Sequence, residues 1–178
     1  MLVVTIYAHA FWAWYPCRRR SWVGWFVLGA IVPDLPYVLM FAAASLRAGP
    51  GIVTDLALWD ALWRNPVVSA LHSFVPWGVV LLGTVVLRQA RYPRLGPIAE
   101  RSIALVLGWG SHVVLDMLTH RSDGYPIFWP LSAYRFPTPI SYWEPAFHGV
   151  AFSLICDGAI VAASFRLAAD RLRRPVGD

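Results

Sequence analysis

His112, Asp116 and His120 recur at intervals of four at the end of an apolar run, and at about 100° per residue such a set drifts only about 40° per step. All three would therefore project from one stripe of a helix. Imidazole nitrogen and carboxylate oxygen are ligands that zinc accepts, and catalytic zinc sites keep one coordination position open. His9, Asp34, His72 and Asp157 stand inside other apolar runs. Ionisable groups are costly in lipid and normally face a bundle interior, a cavity or one another. Ser73, Ser111 and Thr119 carry hydroxyls without a Gly-x-Ser-x-Gly elbow, which excludes a serine hydrolase. The chemistry indicated is that of a divalent metal, foremost zinc. Asp157 lacks a second polar residue at helical spacing and equally suits a hydrogen bond to a neighbouring helix, while His148 reads as interfacial.

The elements that carry these residues must be membrane helices. Of 178 residues 58% are hydrophobic and only 14% charged, against about 25% charged in a soluble domain. Disorder, collagen and coiled coil are excluded on the same ground. The net charge of +5 comes with fifteen basic residues, all Arg, in short groups between apolar runs, so a nucleic-acid partner is not expected. Two cysteines, Cys17 and Cys156, fall in unlike surroundings, and no bridge is expected between them.

Spans are expected over about residues 22–46, 67–87, 102–119 and 146–168, with 2–16 a marginal fifth, in an all-α transmembrane bundle that forms one domain over 1–178. Arg18–Arg20, then Arg88, Arg91, Arg94 and Arg101, then Arg166, Arg171, Arg173 and Arg174 mark three connections as cytoplasmic. Residues 47–66 and 120–145 hold Asp55, Asp60, Asp123 and Glu144 and belong outside. In the second of these, Tyr125, Phe128, Trp129, Tyr134, Phe136, Tyr142 and Trp143 alternate with prolines, which blocks regular helix and suits an ordered lid at the headgroup level. At about 1.5 Å per residue, His72 and His112 both lie roughly 10 Å below the outer ends of their spans. Asp116 and His120 are shallower, Asp34 is near mid-span, and His9 reaches a comparable depth if its segment crosses. The ligand types thus converge in the outer half of the bilayer.

His9, Val32-Pro33-Asp34-Leu35-Pro36, Leu71-His72-Ser73 and His112 to Thr119, followed by Gly124 and Trp129-Pro130-Leu131-Ser132, resemble the family of membrane-bound, metal-dependent hydrolases typified by the inner-membrane protein YdjM. The resemblance implies an α-helical bundle in the bacterial cytoplasmic membrane, a divalent metal and phosphoester hydrolysis like that of zinc-dependent phospholipases C. It implies that His9, Asp34, His72, His112 and Asp116 are metal ligands or their immediate partners. Pro36 stands where the family usually has a second carboxylate, and Val67 and Val68 where it tends to have a His-Arg pair. Those departures imply one metal in place of two, or binding without turnover.

An enzyme of this kind would use His72, His112 and Asp116, with His9 or Asp34 and the boundary residue His120, to hold a metal that activates water. Asp34 or Asp116 would serve the proton transfers. Arg121 and Arg135 would meet the phosphate of a membrane lipid or lipid-linked substrate, or else snorkel to the headgroups. Other classes remain open: a small proton- or ion-coupled transporter, or a silent membrane subunit that binds a partner through its basic C-terminus.

Overall fold

The computed structural model describes residues 2–49, 56–90, 96–142 and 144–173. Asp55, Arg91, Arg94, Trp143 and Arg174, used above for orientation and for the lid, lie outside them. Among the described residues the fold is all-helical: α1 (Leu2–Cys17), α2 (Val23–Ile31), α3 (Leu35–Ala48), α4 (Leu56–Trp63), α5 (Pro66–Leu71), α6 (Phe74–Gln89), α7 (Gly96–Thr119) and α8 (Gly149–Leu172). Short 3-10 turns at Val32–Asp34 and Pro145–Phe147 complete it.

Among the described residues three stretches are long and apolar enough to cross a membrane: Val23–Arg47, which joins α2 to α3, Ile98–Thr119 and Gly149–Leu172. α1 and α6 have 16 residues each, about 24 Å of helix against a hydrocarbon core of about 30 Å. The expected span over 67–87 is two helices, broken at His72–Ser73. In an unbroken helix Pro76 could not donate to the His72 carbonyl and its ring would clash there. Instead the chain restarts with Ser73 as N-cap, its hydroxyl accepting from the Val75 amide at 3.3 Å, and Pro76 falls in the first turn, where it is tolerated. The connection expected over 47–66 also contains α4, whose Leu62 packs with Tyr37, Phe41 and Val68 in a buried apolar cluster.

The centre of the bundle is the contact of α2 with α7. A Cβ on Gly29 would overlap the Leu105 carbonyl, and one on Gly108 the Phe26 carbonyl. Close backbone approach through small residues is how helices associate where lipid offers no hydrophobic driving force. Phe26 faces Gly108 and Ala30 meets His112, so the contacts advance together and α2 and α7 run parallel. α6 lies along α7 in the opposite sense: the Trp109 indole donates to the Leu71 carbonyl, and the Trp77 indole to the Val106 carbonyl at 2.8 Å.

Among its described residues the connection 120–148 is non-helical apart from its last turn, and it is tied down at both ends. The Tyr142 amide donates to the Thr119 carbonyl at 2.7 Å and the Thr138 hydroxyl to the Leu118 carbonyl at 2.7 Å, which satisfies the open end of α7. The Phe74 amide donates to the Ile127 carbonyl at 2.9 Å, and the Ser73 hydroxyl lies within bonding distance of the Ile127 and Trp129 carbonyls. The loop is therefore clamped to the break between α5 and α6.

Candidate metal centre

Both breaks in the spans carry a site residue. Pro33 and Pro36 favour the 3-10 turn between α2 and α3, which leaves Asp34 facing the bundle interior. His72 sits at the C-cap of α5. α7, which is continuous, supplies His112 and Asp116 from one face, and α1 supplies His9. Irregular backbone at membrane depth is tolerated where it lines a cavity inside the protein.

The Asp116 carboxylate is the hub. Its Oδ1 lies 3.1 Å from His9 Nε2 and 3.7 Å from His120 Nε2. Its Oδ2 lies 3.2 Å from His112 Nε2 and 3.5 Å from His72 Nε2. Asp34 Oδ1 stands 3.7 Å from His72 Nε2 and 3.8 Å from His112 Nε2. The three residues expected to bind together, His72, His112 and Asp116, are thus joined by His9 and Asp34, with His120 at the rim.

The rings are oriented from behind. His112 Nδ1 is 2.8 Å from the Ala30 carbonyl and His72 Nδ1 is 2.8 Å from the Val68 carbonyl. A carbonyl only accepts, so each Nδ1 carries a proton, and in the neutral imidazole each Nε2 then presents a lone pair toward the carboxylates. His120 repeats the pattern with a carboxylate, its Nδ1 lying 2.7 Å from Asp123 Oδ2. A hydrogen bond from the ring nitrogen that faces away from the metal is usual for metal-bound histidine.

Lone pairs facing carboxylates repel unless a proton or a cation lies between them. His112 is fully buried, and among the described residues Asp34 Oδ2 and His9 Nδ1 have no hydrogen-bond partner. The His9 and His112 rings stack at 4.1 Å, an arrangement that two imidazolium ions would resist. Ligand atoms of His9, His112 and Asp116, and those of Asp34, His72 and His112, form two sets, each within 4.8 Å. The residues fit a divalent metal: two carboxylates balance its charge, and neutral imidazoles complete its shell. Beside them a cavity of about 10 Å³ is lined by His72, Asp116, His120, Tyr125 and Phe136 among others, room for about one water.

Two contributors were not singled out by spacing. Asp123 holds His120, and its only sequence signal is its place three residues after His120. Burial opposes protonation of His120, but Asp116 and Asp123 outweigh it and push the imidazole up to about 9. Tyr125 lays its ring 4.3 Å from that of His72, with a buried hydroxyl that has no partner. Burial, with Asp34 nearby, pushes that hydroxyl well above its usual range, which keeps it a neutral donor.

Other expected residues lie apart. Arg121 donates to the Thr138 carbonyl at 3.0 Å and covers the Phe147 ring, which braces the loop, while Arg135 is exposed. His148 is exposed at the start of α8 with φ of 63°. Asp157 accepts from the Tyr7 hydroxyl across α1 and α8, the interhelical bond that was one of its two readings. The Ser111 and Thr119 hydroxyls donate within α7, to Gly108 and Leu115. Cys17 and Cys156 are free thiols. Val67, at a position where the family tends to have the His-Arg pair, is 59% exposed, so a larger side chain there could extend outward but the valine adds nothing to the centre.

No curated protein and no solved structure matches the chain. A family model described as YdjM inner membrane protein matches residues 1–172, nearly its whole length. Together with its apolar helices, this makes the chain an integral inner-membrane protein that belongs to the YdjM family.

Proposed function

We propose that this protein is a membrane-embedded, metal-dependent hydrolase that cleaves a phosphoester of a lipid or lipid-linked substrate. The observation that carries the reading is the convergence of four histidine Nε2 atoms on Asp116 and Asp34, with three of the rings locked from behind. His9, His72, His112 and Asp116 would hold the metal, with Asp34 and His120 at its edges. A divalent ion there, zinc foremost, supplies the Lewis acidity that polarises a phosphoester and makes water nucleophilic.

The chain's own groups would do the rest. Asp34 Oδ2 is unpartnered and buried, and suits acceptance of the proton of the attacking water. The neutral Tyr125 hydroxyl suits donation to a phosphoryl oxygen as charge builds there. Arg135, exposed on the same loop and near enough to act on the Tyr125 hydroxyl, suits the substrate phosphate. The positive-inside pattern would set this loop on the extracytoplasmic side and the C-terminus in the cytoplasm.

The test is elemental analysis of detergent-purified protein, followed by a screen of phospholipids with wild type and Asp34→Asn. About one zinc, manganese or iron per chain, with phosphate-containing product that Asp34→Asn abolishes, is the expected result. Folded wild type that takes up no divalent metal on reconstitution would defeat the reading in favour of a proton relay or a silent subunit.

A further inference from the structure

A second cavity touches the centre from the side. It has a volume of about 260 Å³, lies between α1, α7 and α8, and is lined by Ala8, Trp12, Leu115, Phe152 and Cys156, with Thr119 and Tyr142 toward the loop. His9 forms part of its wall, and the Nε2 of that ring is the atom 3.1 Å from Asp116. The groove is therefore separated from the ligand cluster by one imidazole.

Its walls decide what it can hold. Thr119 and Leu115 are one turn apart on α7, and Phe152 and Cys156 one turn apart on α8, so the groove runs down both helices from the loop into the apolar zone. Both helices are apolar enough to span the membrane there, and α8 has no buried residue after Gly149. The opening therefore faces lipid. A helix about 10–12 Å across would not fit such a space, whereas a single hydrocarbon chain would. The polar end of the groove, at Thr119, Tyr142 and His9, leads to Asp116. An amphiphile lying in it would have its head group directed at the centre and its tail along Leu115 and Cys156.

We propose that this groove is the acyl-chain site of the substrate, so that a lipid comes to the metal centre sideways from the bilayer with one hydrocarbon chain between α1 and α8. The polar cavity on the loop side is too small for such a chain and is left to water. What the head group meets rests on the hydrolase reading; occupancy of the groove does not require turnover.

The experiment uses the full chain in nanodiscs of phosphatidylethanolamine and phosphatidylglycerol, doped with phosphatidylethanolamine that carries a diazirine on one acyl chain. After photolysis, peptide mass spectrometry locates the adducts. Adducts are expected at Trp12, Leu115, Phe152 and Cys156, in excess of those on Leu154 and Ile155, which are 68% and 69% exposed on α8. Leu115→Trp and Cys156→Trp, made separately so that one folding failure does not spoil the test, should each lower the groove adducts about tenfold, the effect of about two methylenes losing their burial. Adducts at Leu154 and Ile155 should persist. Adducts confined to Leu154, Ile155 and other exposed positions, unaffected by either filling variant, would overturn the groove even if the protein hydrolyses lipids. Groove adducts in a protein that shows no hydrolysis would leave the groove standing and count against the hydrolase reading.

Discussion

A neutral histidine whose Nδ1 donates to a main-chain carbonyl keeps one polar function, the lone pair on Nε2, and at this centre the Nε2 atoms are aimed at carboxylate oxygens. Asp116 takes part in four of the contacts, so Asp116→Asn, which keeps the shape and removes the charge, should lower metal affinity by more than the roughly 10–100-fold typical of losing a group that only orients a ligand. Asp123 pairs with His120, at the rim. Asp123→Asn should fall within that 10–100-fold range or below it, with the fold intact by circular dichroism. Competition titration with a chromophoric chelator measures both, and an equal loss in the two variants would contradict the hub role of Asp116. The spacing of His112, Asp116 and His120 made the stripe legible in sequence, because helical periodicity alone puts them on one face. Tyr125 was not legible as a site residue. It looked like one aromatic among seven in a headgroup lid, and only the clamp of the loop to Ser73 and Phe74 sets it on the His72 ring.

Hydropathy reads runs of apolar residues and does not see the hydrogen bonds inside them, which is why residues 67–87 read as one helix although Ser73 and Pro76 divide it. The same break gives His72 its place, so the element that departs most from expectation is one that builds the site. The α2–α7 contact is likewise silent in the sequence, since Gly29 and Gly108 matter only because each meets a backbone carbonyl. Gly108→Ala forces the helices apart at Phe26 and Ala30, and Ala30 is the residue whose carbonyl holds His112. We expect it to destabilise by about 1–3 kcal/mol, the usual cost of overpacking, and to weaken metal binding as well. Gly158→Ala on α8 is the control, because a Cβ there meets nothing within 4 Å. It should be neutral or gain up to about 1 kcal/mol of helix propensity. Thermal unfolding in detergent separates the two, and equal melting temperatures for both variants would refute the tight crossing.

Parallel packing of α2 and α7 constrains the whole molecule. Each belongs to a stretch long and apolar enough to cross, so if both cross in the same sense the chain between them must return through the membrane. α6 is the helix available for that return, and its 16 residues span about 24 Å, which α5 and the break at His72 can extend toward the far interface. The Arg groups agree, since Arg18–Arg20 precede α2, Arg88 lies near the end of α6 and Arg101 near the start of α7, which by the positive-inside rule would place the starts of both helices on the cytoplasmic side. Three crossings then separate Arg19 from Ala133, and an odd number puts these two exposed residues on opposite faces of the membrane. In a background lacking Cys17 and Cys156, Ala133→Cys should react with a membrane-impermeant maleimide in spheroplasts, and Arg19→Cys only after the membrane is opened. Labelling of both from outside would mean that α6 turns back without crossing. Labelling of Arg19→Cys alone would invert the molecule and set the metal centre in the cytoplasmic half of the bilayer, where the substrates it could reach are lipids of the inner leaflet.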